Sequence, residues 1–177
     1  MPSREDVLRV YSAISGYNPA DPGTDRGCNI LEALKHWKNE GILIGGQPHQ
    51  IGAFAAVNIH DSAELDAAFW LFGGTLAGWN LPLAAQRLAS WTNAPAKIRG
   101  DWRPGTWGGH CTLESDLVND LYGTESWNRL FPTDRRFVSL FCDECWVVIS
   151  NDWLGNDDQC PAGFDRAALL KDLEALG

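Results

Sequence analysis

The sequence is poor in several things, and each shortage excludes a class of protein. Its longest apolar stretches fall well short of the roughly 20 residues that cross a bilayer as a helix. Its N-terminus, MPSREDVLRVY, has no basic-then-apolar signal region, so the expectation is synthesis into a cytoplasm and no membrane partner. Basic residues are outnumbered, 14 against 23 acidic, for a formal net charge of −9. A phosphate backbone would be repelled, so nucleic acid is not expected as a direct partner. Five cysteines form no paired framework, and free thiols are the expectation. No phosphate loop or dinucleotide fingerprint occurs, and Gly45-Gly46 and Gly73-Gly74 read as turns. Cys142-x-x-Cys145 has no second Cys pair or His pair to complete a zinc site. It reads as two reduced thiols passing from a helix into a strand, so neither metal nor cofactor is expected. His36, His49 and His60 are isolated in sequence.

What is present is an ordinary globular composition, 45% hydrophobic and 21% charged over 177 residues. That length suits one domain, residues 1–177, with a sizeable core. Nine tryptophans are many for this length, and such rings fill grooves or subunit contacts as well as cores. The acidic run over 143–158 reads as a solvated surface.

Ser3 caps a first helix in which Val7, Leu8, Tyr11 and Ile14 share a face. A Gly- and Pro-rich loop follows. Asn29 then caps a second helix, with Glu32 completing a capping box and Gly41 ending it; Ile30, Leu34 and Trp37 are its buried stripe. Residues 51–59 read as a strand, Asp61-Ser62 open a helix ending at Gly73-Gly74, and residues 75–79 form a short strand. A long loop over 92–109 delivers a strand beginning Gly108-Gly109-His110. Residues 137–150 give a short helix and a strand, and an Asp165-capped helix closes the chain. Helices lead and strands dominate later, an α+β pattern.

Gly108-Gly109-His110 resembles the strand that carries the catalytic His of papain-like cysteine peptidases. Other motifs follow that family's order. The helix from Gly27-Cys28-Asn29, the strand and helix over 55–81, and Glu125-Ser126-Trp127-Asn128 resemble the corresponding papain segments. The resemblance covers roughly residues 24–150. It implies a papain-like α+β fold with helices packed on an antiparallel sheet. The chain also resembles phage-encoded proteins of this length, through Thr24-Asp25-Arg26-Gly27, Gly108-Gly109-His110, Trp127 and the segment 161–173.

Such a peptidase needs a thiolate, a His to hold its proton and a polar group to orient the ring. The resemblance places His110 at the base position and Glu125 where the family has the orienting Asn, while Asn128 replaces the family's Gly. The family's nucleophile segment has no counterpart upstream, which makes Cys28 a structural cysteine. A rival alignment, to bacteriocin-processing peptidases, makes Cys28 at its helix start the nucleophile. Cys111 follows His110 on a strand and must face the other way. Trp102, Trp107 and Trp127 bracket His110 and are candidates for a groove wall. The expectation is a phage virion-associated protein, made in the host cytoplasm. It would use a catalytically incomplete papain-like fold to bind capsid or tail subunits or copies of itself. The alternative is a small cysteine peptidase or amidase using Cys28, His110 and Glu125.

Overall fold

Ser3 starts the first helix because its hydroxyl accepts the Asp6 N–H while the Asp6 carboxylate accepts the Ser3 N–H, a complete capping box. Helix α1 (Arg4–Ser15) ends at Gly16, which takes the left-handed conformation that costs glycine nothing. In this computed structural model residues 2–150 are described, together with Asp165, Ala167, Ala168 and Lys171. The closing helix expected from Asp165 and the thiol of Cys160 lie largely or wholly outside the described residues.

The described chain forms two compact units, residues 2–54 with 149–150 and the four described residues beyond them, and Ala55–Val148. In the first, Asp6 is the buried anchor of α1, while of the expected apolar stripe Leu8, Tyr11 and Ile14 are half-buried. Val7 is 54% exposed, whereas Asp6 is buried and accepts the Gly45 N–H at 3.1 Å. That bond ties α1 to the turn between β1 (Ile42–Ile44) and β2 (Gln47–His49). The same backbone donors, Gly45 first and Ser3 next, hold the Asp6 carboxyl down at about 2. Helix α2 (Ile30–Asn39) starts where Asn29 accepts the Glu32 N–H, and it buries Ile30 and Leu34. The Glu32 carboxylate pairs with Lys35 at 2.8 Å instead of closing a capping box.

The sheet runs β3-β8-β4-β5-β6-β7. Its strands are β3 (Ile51–Ala56), β4 (Thr75–Leu81), β5 (Gly108–Val118), β6 (Leu121–Ser126), β7 (Arg129–Asp134) and β8 (Cys142–Ser150). The paired strands β8, β4, β5, β6 and β7 are antiparallel throughout. Helix α3 (Ser62–Phe72) is capped by Asp61, which accepts two backbone N–H groups, and α4 (Arg135–Phe141) by Asp134. Both pack on the strands. Their shared core is aromatic: Trp91 is fully buried, stacked on Phe137 at 5.3 Å and edge-on to Trp79 at 5.2 Å. This is an α+β fold with helices on an antiparallel sheet.

Two glycines fix how β5 and the loop before it sit against β4. Gly74, between α3 and β4, has φ +149, and a Cβ there would come within 2.4 Å of the Glu114 carbonyl oxygen. Gly105 has φ +75, and its Cβ would sit 2.5 Å from Asn80 Oδ1. Backbone bonds from Gly105 to Asn80 and from Trp107 to Leu81 then align the loop with the end of β4, so β5 begins beside it.

Candidate functional site

Residues 121–134, outside the elements expected from sequence, form a hairpin, β6 turning into β7. Its two-residue turn, Trp127-Asn128, has φ of +47° and +57°. Ser126 pairs with Arg129 across it. The β5–β6 turn uses the same positive-φ pattern with Asn119 and Asp120, residues that adopt it readily. A tryptophan does not, so Trp127 is held there by what it touches.

It touches His110. The imidazole lies flat on the indole, centroids 4.3 Å apart and planes 6° apart, and Trp107 stacks on the same indole at 5.0 Å and 20°. His110 Nε2 lies 2.6 Å from Ser126 Oγ. The ring is thus half-buried and held by one polar bond. Burial pushes its pKa below the ordinary histidine value, so it is neutral at neutral pH.

Glu125 does not orient this ring; Ser126 does. Strand alternation is the reason. His110 pairs with buried Trp79 and so faces the core, as do Tyr122, Thr124 and Ser126 on β6. Glu125 faces the other side, paired with Leu113 and Leu130. A reading of residues 121–126 by alternation would have selected Ser126. Of the three candidate groove tryptophans, Trp107 and Trp127 line a slot of about 230 Å³ with Leu81, Gly108, Gly109 and His110. Trp102 is not among its walls and packs against Phe141, centroids 6.3 Å apart.

Cys28 belongs to the other unit. It precedes the Asn29 cap, and its thiol donates to the Asn29 carbonyl at 3.5 Å rather than meeting helix N–H groups. The residue is exposed, and the limited desolvation of its thiol, then the Glu32 carboxylate, raises its pKa. Cys111 pairs with Gly78 next to His110 and points to the opposite face, as strand geometry demands. Cys142 and Cys145 are buried free thiols; burial is the main cause of both upward shifts, with Cys145 pushed to about 11.

Further along the His110 strand, on the same core-facing side, lies a group that sequence reasoning missed. Glu114 is 4% exposed and accepts hydroxyl bonds from Thr112, at 2.6 Å, and from Thr124. Thr112 in turn accepts the Trp79 indole N–H at 2.6 Å, and Thr133 lies 2.7 Å from Thr124. Two hydroxyl donors do not offset its desolvation, and burial pushes the carboxyl up to about 7.

No family model and no curated protein matches the chain. Among solved structures, xylellain, a cysteine protease from Xylella fastidiosa, is similar with a TM-score of 0.61 and 16% identity. The match covers 84% of this chain and 69% of that one. At that identity the likeness speaks for the fold alone, and the fold is papain-like.

Proposed function

We propose that the chain is a phage virion-associated protein whose papain-like fold serves as a binding module for capsid or tail subunits. The observation that carries the incomplete-catalyst half is the state of Cys28. Its thiol donates to a backbone carbonyl ahead of the helix cap and has its pKa raised by limited desolvation and by Glu32. A catalytic thiolate needs the reverse: helix N–H groups, a cation and a lowered pKa. The resemblance of Thr24–Gly27, Gly108–His110 and Trp127 to phage-encoded proteins supports the virion half. The slot between Trp107 and Trp127 supplies aromatic surface of the kind that anchors partners.

A second reading, a small cysteine peptidase or amidase using Cys28 and His110, is favoured by the neutral, fixed imidazole of His110. The deciding experiment follows the chain through purification of particles from the strain that encodes it. Co-sedimentation with intact virions, at a fixed copy number, is expected. Recovery solely in the soluble fraction of the lysate would remove the virion reading.

A further inference from the structure

The sheet face opposite the aromatic core carries a row of side chains set by strand register. Leu76 pairs with Leu113, Leu113 with Glu125, and Glu125 with Leu130. Residues paired in this way share one face, here the one away from buried Thr124. Leu113 is 43% exposed and Leu130 54%, and Glu125 between them is exposed too.

Gly123 brings a second carboxylate alongside this row. A Cβ at Gly123 would lie 3.0 Å from both the Asp116 Cβ and Leu130 Cδ1, so the glycine lets those two side chains close over β6. Asp116, Glu125, Arg129 and Leu130 then line an open depression of about 730 Å³. Arg129 stands over the Phe131 ring at 4.7 Å, and among the described residues neither Asp116 nor Glu125 has an ion-pair partner. Two unpaired carboxylates, Glu125 between exposed Leu113 and Leu130 and Asp116 beside Leu130, complement a cation carried on apolar surface. The net charge of −9 draws such a partner in.

We infer that this face docks a partner polypeptide segment bearing a Lys or Arg between apolar side chains. The cation enters between Asp116 and Glu125, and the apolar side chains cover Leu113 and Leu130. The inference rests on the binding-module reading for its kind of partner, but its test needs no virion.

The test is a calorimetric titration with a ten-residue peptide alternating Leu and Lys, against the same peptide with Glu for Lys. The basic peptide is expected to bind at least tenfold more tightly. With Asp116→Lys and Glu125→Lys combined, the preference should reverse. With Glu5→Lys, an exposed acid on α1, it should persist. Leu113→Ser with Leu130→Ser, folding checked by circular dichroism, should weaken the basic peptide at least tenfold. Equal binding of both peptides, or a preference that survives the double charge swap, would overturn the inference. So would a concentration-dependent dimer abolished by the same substitutions, since a second copy would then be the occupant. Failure of virion co-sedimentation leaves this outcome untouched, and failure here leaves co-sedimentation untouched.

Discussion

The imidazole of His110 and the indole of Trp127 lie 4.3 Å apart and within 6° of parallel, across a turn whose first residue is that tryptophan. The geometry sets two effects against each other. A non-glycine residue in the left-handed region costs on the order of 1–2 kcal/mol. An aromatic stack returns about 0.5–1.5 kcal/mol, and Trp127 makes two.

Trp127→Gly therefore removes the backbone strain and the stacks together. Its stability should still fall by about 2 kcal/mol, because about half of the indole is buried and that apolar area is lost in addition to the stacks. The imidazole, however, loses the cover that desolvates it. Its pKa should rise toward the unperturbed value of about 6.5. An NMR titration of the His110 ring in parent and variant checks this, and an unmoved pKa would show that Trp127 is not what buries the ring.

Glu114 makes stability depend on pH, with a definite sign. Its carboxyl titrates near 7 in the folded protein, against an ordinary value of 4.5. Between those values the unfolded chain gives up a proton that the folded chain keeps, so stability falls as pH rises from about 4.5 to 7 and then levels. For a shift of that size the loss is about 3 kcal/mol. Glu114→Gln keeps the acceptor for one threonine and removes the titration. Urea midpoints measured at pH 5 and pH 8 should differ in the parent and converge in the variant. Equal slopes in both would place the proton elsewhere.

Gly74→Ala tests the seam between α3 and the His110 strand. A Cβ at 2.4 Å from the Glu114 carbonyl cannot be absorbed by a rotamer change, because the obstacle is backbone. The left-handed φ adds strain. The variant should lose about 2–4 kcal/mol. Gly16→Ala, where nothing lies within 4 Å of the new Cβ, should cost about 1 kcal/mol. Thermal melts of the two variants side by side separate close approach from φ strain alone.

Sequence alone placed α1, α2 and α3 well, because helix starts are written in local chemistry. Ser3, Asn29 and Asp61 each cap where expected, and Gly73 stops α3. It also placed His110 on a strand, which the structure pairs with Thr75–Leu81. The β6–β7 hairpin escaped notice, since a Trp-Asn turn carries none of the usual glycine signal. The family resemblance puts Glu125 at the ring-orienting position, whereas strand parity across this hairpin selects Ser126. Glu114 was invisible for a different reason. A charged residue in an alternating strand reads as solvent-facing, and only the tertiary packing of Thr112, Thr124 and Trp79 buries it.

The choice between binding module and peptidase turns on Cys28. A thiol in an active ion pair with histidine is ionised well below neutral pH and alkylates rapidly there. Cys28 has its thiol bonded to the Asn29 carbonyl, and limited desolvation with the Glu32 carboxylate moves its pKa upward. Even an ordinary thiol with a pKa of about 8.5 is only ~0.3% ionised at pH 6. Iodoacetamide labelling of Cys28, followed by peptide mass mapping to separate it from exposed Cys111, should therefore be slow at pH 6. It should climb about tenfold per pH unit through pH 8, tracking the thiolate fraction. His110→Ala should leave that profile unchanged, while Glu32→Gln should shift it to lower pH by removing a like charge. Fast labelling at pH 6 that disappears in His110→Ala would establish a working dyad and put the peptidase reading first.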